Sequence, residues 1–203
     1  MKSIKKKFKE NTNILYTGFG DKGTTTLFGC KQERISKSAH IIEALGAVDE
    51  LNAYLGVVKV YSAIDKLNIE IGGKKILYDD IIGGIQQTLF VIQAEIAGSK
   101  MTVGKKEVVK IEKIINKIGH LLPTIKAFTV SGGSILSAEL DVARTLARRA
   151  ERRIISVVDE KKKIIGPLTI AYMNRLSSAL FALSRYTNHM LSIPEDYPRY
   201  HKK

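Results

Sequence analysis

Cysteine, tryptophan and proline are scarce in this sequence of 203 residues, which contains one cysteine, no tryptophan and four prolines. The lone Cys30 excludes an intrachain disulfide and a metal site built from several cysteines of one chain, and it favours a reducing compartment. No stretch approaches the roughly 18 consecutive apolar residues of a membrane span, and the lysine-rich start lacks the apolar core of a signal peptide. We therefore expect a cytoplasmic protein without a membrane partner, with an organellar matrix left open.

Acidic residues are also in deficit, because 20 aspartates and glutamates stand against 33 lysines and arginines, a formal charge of +13. A basic tail and lysine-rich helix faces in contact with solvent explain this charge. An anionic partner, either nucleic acid or a polyphosphate ligand, is the alternative explanation, and charge alone does not separate the two. Histidines lack the spacing of a metal site, since none follows a glutamate by three residues as in di-iron bundles.

Apolar residues recur at steps of three and four along most of the chain, which is typical of amphipathic helices. We predict five helices, over residues 38–63, around 82–96, 105–119, 135–160 and 167–191, with Ser131 or Ser134 as the cap of the fourth. The glycine-rich segment 14–30 suits a loop or short hairpin, and the glycines near residue 72 only interrupt the helices. With little strand signal, the fold expected is an all-α, up-and-down five-helix bundle. It spans residues 14–193, between a basic flexible tail (1–13) and a C-terminal tail (194–203).

The predicted fourth helix carries charged residues at the margin of its apolar face. Arg144, Arg148 and Glu151 share one edge of that face, with Asp141 beside them. Such charges either pair with one another on the helix surface or need a partner from another helix or a ligand, because desolvating them unpaired is costly. Spacing alone leaves both interpretations open.

Two further segments offer polar groups to a ligand. In the predicted fifth helix, Asn174, Ser178, Phe181 and Arg185 share a stripe beside the core face, which is typical of a ligand clamp or of ordinary polar contacts between helices. The segment 14–30 presents backbone amides and threonine hydroxyls, which suit an anion. It lacks the order G-x-x-x-x-G-K-[ST] and is therefore no Walker loop.

Three blocks of sequence make the chain similar to a known family. They are TGFGDKGTTTLFG near the start, EALGAVDELNAYLG in the first predicted helix, and the later pair FTVSGGSILSAELDVARTLARRAER and MNRLSSALFALSRY. In this order and spacing they resemble the PduO-type ATP:cob(I)alamin adenosyltransferases over roughly residues 16–190. The resemblance implies a ferritin-like five-helix bundle that assembles as a homotrimer, with ATP and cobalamin bound between neighbouring subunits.

The resemblance also implies roles for individual residues. Arg148, Glu151 and Asn174 complete the nucleotide site, with Glu151 near Mg²⁺, and Asp49 pairs with Arg144 across the subunit boundary. The ATP triphosphate is wrapped by one loop and a lysine: Thr17, Gly18, Gly20, Asp21, Lys22, Gly23, Thr24, Thr25 and Lys37.

The implied reaction transfers the 5′-deoxyadenosyl group of ATP to the cobalt of cob(I)alamin, forming adenosylcobalamin and releasing triphosphate. Cobalt(I) is itself the nucleophile, so the protein orients two reactants and neutralises a leaving group with cations, amides and Mg²⁺. Phe128 presses on the lower face of the corrin ring and keeps an axial ligand off cobalt, which eases reduction to cobalt(I). The chain departs from the family pattern at Ser178, where an aspartate is common, and at His40 and Ile41, where many members have proline and arginine.

Two rival interpretations stand beside the enzyme. One is a basic helical nucleic-acid-binding protein, supported by the net charge. The other is a non-catalytic cobalamin carrier or chaperone of the same fold. The resemblance favours the enzyme, for which a cobalamin reductase and a cobalamin-dependent acceptor enzyme are the expected partners.

Overall fold

The computed structural model describes residues 15–28, 33–160 and 164–200, so the predicted tail 1–13 and Cys30 lie outside the described residues. Within these ranges the chain is predominantly helical, and no helix there is both long and apolar enough to cross a membrane. The described ranges hold five helices: α1 (His40–Asp65), α2 (Tyr78–Ala97), α3 (Lys105–Leu121), α4 (Ile135–Asp159) and α5 (Pro167–Met190). The predicted set of five helices is confirmed, with ends shifted by a few residues.

Helix α4 joins the two sides of the bundle. Its most extensive contacts are with α1 on one side and α5 on the other, while α1 packs in turn on α2 and α5 packs on α3. The inward faces follow the predicted spacing, and Leu51 and Leu55 of α1, Leu140 of α4 and Leu180 of α5 are all 0% exposed. Because this core is closely packed, it holds the polar margins of α4 and α5 in place.

Capping groups define where the last two helices begin. Ser134 caps α4, since its Oγ accepts a 3.1 Å hydrogen bond from the Ser137 backbone N–H, and this selects Ser134 over Ser131. Helix α5 begins at Pro167 after Gly166, which has no capping side chain of its own. The carboxylate of Glu95 in α2 fills that role by accepting a 2.7 Å bond from the Gly166 N–H. This hydrogen bond links the end of α2 to the start of α5.

Two short antiparallel hairpins in the described residues correct the expectation of an almost purely helical chain. Strand β1 (Thr24–Thr25) pairs with β2 (Ile35–Ser36), so the glycine-rich segment forms a hairpin with residues beyond it. Strand β3 (Asn68–Ile71) pairs with β4 (Lys74–Leu77), where we predict only a break between helices. Gly72 and Gly73 turn between these strands with φ of +58° and +75°, the left-handed conformation that a tight hairpin turn requires.

Candidate active site

The glycine-rich loop before β1 is a pair of tight turns. Asp21 N–H donates to the Gly18 carbonyl at 3.1 Å, and Gly23 N–H donates to the Gly20 carbonyl at 3.0 Å. Gly18 and Gly23 adopt φ of +69° and +71°, which side chains other than glycine rarely tolerate. The side chains of Thr17, Asp21 and Lys22 are exposed along this loop. The loop therefore presents polar groups to its surroundings, as the sequence predicts.

Two cations border the loop. The Lys37 ammonium lies so close to Gly20 that a Cβ at that position would stand 2.8 Å from Nζ, and the Lys37 backbone N–H donates to the Gly23 carbonyl at 2.9 Å. Lys37 therefore lies beside the loop, and its contact with the triphosphate stays a prediction. Arg34 was not predicted as a site residue. Its guanidinium donates to Oγ1 and the carbonyl of Thr24, both at 2.8 Å, and to the carbonyl of Phe19. Nothing in the residue pattern signals that contact, because it depends on the β1–β2 pairing.

The far end of the loop lies over α1 and α2. Residues 25–28 border a shallow cavity of about 360 Å³ together with Ile42, Leu45, Gly46 and Asp49 of α1 and Gln93 of α2. Asp49 is exposed, and its Oδ1 accepts a 3.2 Å hydrogen bond from Gln93 Nε2. This face of the bundle therefore carries the loop and one outward carboxylate.

Glu151 and Asn174 meet at the junction of α4 and α5. Asn174 Nδ2 donates to Glu151 Oε1 at 3.0 Å, which brings together two predicted site residues from different helices. Arg175, which the sequence analysis did not single out, donates from Nη1 to Asn174 Oδ1 at 2.9 Å and from Nε to Glu112 Oε1 at 3.3 Å. The amide of Asn174 is thus oriented from both ends, so its rotamer is constrained.

A groove of about 400 Å³ brings three more predicted residues together. The loop between α3 and α4 contributes Phe128, α4 contributes Arg144 and Arg148, and α5 contributes Ser178 and Phe181. The Phe128 side chain is 82% exposed, an uncommon situation for a ring with so much apolar surface. The groove combines a cationic margin with an exposed aromatic ring.

Arg144 is held within its own chain by Asp141. Its Nε lies 3.1 Å from Asp141 Oδ1, and its guanidinium carbon lies 5.9 Å from the centroid of the Phe181 ring, within cation–π range. Asp141 is buried and also accepts a 3.2 Å bond from the Ser184 hydroxyl. The pairing of Arg144 with Asp49 involves a second subunit, and it stays a prediction.

The sequence also matches a known protein family. A sequence profile of the cobalamin adenosyltransferase family matches residues 15–187. The chain belongs to that family. All the site residues implied by the resemblance, from Thr17 to Asn174, lie inside the matched part of the chain, whereas residues 194–197 lie beyond it.

Two relatives and one solved structure show how much of the chain is similar to known proteins. A corrinoid adenosyltransferase of Citrobacter freundii is 34% identical over 184 residues, which cover 84% of this chain and 93% of the relative. The corrinoid adenosyltransferase PduO of the same organism is 32% identical over 182 residues, and the match covers 86% of this chain but 50% of that protein. A variant PduO-type ATP:corrinoid adenosyltransferase from Lactobacillus reuteri, complexed with cobalamin and ATP, has a TM-score of 0.79 and 29% identity, covering 92% of this chain and 100% of that one.

Proposed function

We propose that this chain transfers the 5′-deoxyadenosyl group of ATP to the cobalt of cob(I)alamin, forming adenosylcobalamin and releasing triphosphate. The observation that carries the proposal is the groove in which Arg144 and Arg148 lie beside the exposed ring of Phe128. A margin of arginines suits a polyphosphate, and an exposed aromatic ring suits the face of a flat macrocycle. The Lactobacillus relative complexed with cobalamin and ATP supports this pair of ligands.

The reaction needs orientation and charge neutralisation and no proton transfer to the protein. The cobalt(I) electron pair attacks the 5′ carbon of ATP, the cobalt–carbon bond forms as the carbon–oxygen bond breaks, and triphosphate leaves with that bond's electrons. We assign Arg148, Lys37 and the loop amides to the triphosphate, because donors aimed at developing charge lower the barrier most. Phe128 is assigned to the lower face of the corrin ring, where an apolar side chain keeps an axial ligand off cobalt.

A magnesium ion fits this arrangement. In nucleotide sites Mg²⁺ is usually held by one or two carboxylates together with phosphate oxygens. Glu151 offers one carboxylate, which the 3.0 Å bond from Asn174 orients. We assign Glu151 to hold the ion, which when bound would supply further positive charge at the leaving group.

We propose that this chain forms a homotrimer of ferritin-like bundles, as the resemblance implies, with active sites between subunits, because the loop and the arginine groove lie on different helices of one chain. The loop end lies over α1 and α2, whereas the arginine groove is formed by α4, α5 and the segment around Phe128. Asp49 is exposed beside the loop end, where its carboxylate would meet the partner subunit's Arg144. We further propose that the enzyme works in the cytoplasm, where a cobalamin reductase supplies cobalt(I) and a cobalamin-dependent enzyme accepts the product.

The deciding experiment mixes the protein with ATP, Mg²⁺ and chemically reduced cobalamin without oxygen, and follows the absorbance change of cobalt–carbon bond formation. We expect Arg148→Ala to lower kcat/KM about 100-fold or more, because it removes a charge aimed at the leaving group. The matched control is Arg153→Ala on the same helix, where the guanidinium lies 3.7 Å from Glu43 of α1. It should keep activity within about twofold, since exposed ion pairs contribute little.

Each alternative has its own signature in the same experiment. Near-normal turnover by the Arg148→Ala variant would show that the site is misplaced. Tight cobalamin binding without turnover by the unaltered protein would identify a carrier or chaperone. Nucleic-acid affinity that falls steeply with salt, again without turnover, would identify the nucleic-acid-binding function.

A further inference from the structure

The segment between α3 and α4 contains no helix or strand between residues 121 and 135. Its position is therefore fixed by hydrogen bonds from other parts of the chain, which we call anchors. Two anchors bracket the exposed Phe128. On one side, Arg185 Nη2 donates to the Pro123 carbonyl at 3.1 Å. On the other, the Val130 N–H donates to the Asp196 carbonyl at 2.9 Å. One anchor comes from α5 and the other from the chain that follows it.

Arg185 and Glu195 join these anchors into one unit. The Arg185 side chain is only 9% exposed, and its Nε lies 2.5 Å from Glu195 Oε1. The Tyr197 hydroxyl donates to Glu195 Oε2 at 2.9 Å. Burial raises the pKa of Glu195, but hydrogen bonds from Tyr197 and Arg185, with the guanidinium charge, outweigh it and hold that pKa below its ordinary value. Charge-assisted bonds of this kind are strong and directional.

The anchored segment is continuous with the proposed active site. The Arg185 guanidinium carbon lies 6.0 Å from the centroid of the Phe181 ring, and the same ring is 5.9 Å from the guanidinium carbon of Arg144. Phe181 lines both the groove beside Phe128 and a smaller cavity of about 170 Å³ that Glu195 also borders. The contacts thus run from Glu195 through Arg185 and the Phe181 ring to the groove.

We propose that Arg185 and residues 194–197, together called the C-terminal clamp, position the segment that carries Phe128 and so set how firmly cobalamin is held without a lower axial ligand. This inference rests on the proposed function and goes beyond it, because residues 194–197 lie outside the family match. Arg185 and Glu195 are positioning residues that act through the backbone around Phe128. An exposed ring presses on a ligand only as firmly as its backbone is held.

The first test measures the clamp without any ligand. Lys126 is exposed within the bracketed segment, so trypsin reports how often the segment opens. We expect Glu195→Ala to speed cleavage after Lys126 about tenfold, because Arg185 and the chain at Asp196 lose the bond that holds these two anchors in place. The control is Glu43→Ala, which removes the 3.7 Å surface ion pair between Glu43 of α1 and Arg153 of α4 and should leave the cleavage rate unchanged. Equal rates in the Glu195→Ala variant and the unaltered protein would overturn the clamp.

The second test measures the consequence for cobalamin. With ATP present, the fraction of cob(II)alamin that lacks an axial ligand is read from its absorbance and electron paramagnetic resonance spectra. We expect Glu195→Ala to lower this fraction several-fold and to raise the KM for cobalamin about tenfold, while the Kd for ATP is unchanged. An equal loss of ATP affinity would indicate general damage and overturn a positioning role. If the unaltered protein forms no adenosylcobalamin, the proposed function fails, while the cleavage rates still decide whether the clamp exists.

Discussion

The carboxylate of Glu95 makes a sharp test of how the bundle is held together. It is 6% exposed and accepts hydrogen bonds from the Gly166 N–H at 2.7 Å, the Thr169 hydroxyl at 2.5 Å and the Thr102 hydroxyl at 3.1 Å. It thus serves as the missing cap of α5, where a negative charge also meets the positive end of the helix dipole. Replacing it tests a link between the end of α2 and the start of α5.

The expected magnitude follows from the groups left without partners. Glu95→Ala strands the Gly166 N–H and the Thr169 hydroxyl, and each buried unsatisfied group costs about 1 to 3 kcal/mol, so the unfolding free energy should fall by about 4 kcal/mol. At about 2 to 4 °C per kcal/mol for a protein of this size, Tm should fall by about 8 to 16 °C. Glu95→Gln keeps one acceptor oxygen and should cost about 1 kcal/mol.

The assay is urea and thermal unfolding of both variants at one protein concentration, because an assembly's stability depends on concentration. If both variants unfold within about 0.5 kcal/mol of the unaltered protein, Glu95 does not act as the cap of α5. If Gln costs as much as Ala, the negative charge matters more than the hydrogen bonds to the carboxylate, and the reasoning from stranded donors is wrong.

Three further predictions concern the active site and the clamp. Asp49→Ala should weaken subunit association or ATP binding, because it leaves the partner's Arg144 without its proposed carboxylate; unchanged sedimentation and activity would contradict the intersubunit pair. Gly20→Ala should displace the Lys37 ammonium, which lies 2.8 Å from the new Cβ, and raise the Kd for ATP roughly fivefold to tenfold with little loss of stability; an unchanged Kd would remove Lys37 from the nucleotide site. Because the folded-state pKa of Glu195 is depressed, its contribution to stability is present above the pKa of the unfolded chain and lost as pH falls through the folded value. The difference in unfolding free energy between the unaltered protein and Glu195→Ala should therefore shrink on acidification, and a constant difference in urea titrations would show that ionised Glu195 stabilises nothing.

Helix positions were predictable because each helix buries one face, and burial imposes a period on the sequence. Leu140, Ala143, Ala147 and Ile154 of α4 follow that period and are at most 1% exposed. The hairpin of residues 68–77 was not predicted, because Lys74 and Lys75 interrupt the alternation of apolar and polar residues. The Gly-Gly pair between two short apolar runs is nevertheless a hairpin signal.

The residues of the candidate site also fall into a group that the sequence could predict and a group that it could not. Arg148, Glu151 and Asn174 were predictable as candidates from the sequence, since they lie at the margins of apolar helix faces and the helical period fixes those margins. Arg34 and the Arg185–Glu195 contact were not, because each joins an irregular segment to an element elsewhere in the chain. Such contacts have no period and depend on how the loops fold.

The separation of the loop and the arginine groove onto different faces of one chain has a genetic consequence. If each active site takes its loop from one copy and its arginines from the next, a subunit with a ruined loop still lends intact arginines to its neighbour. Two alleles defective in opposite halves would then restore one another's activity in mixed assemblies. Two alleles defective in the same part of the site would not restore activity. A complementation test between alleles would therefore assign each side chain to the loop or to the arginine groove.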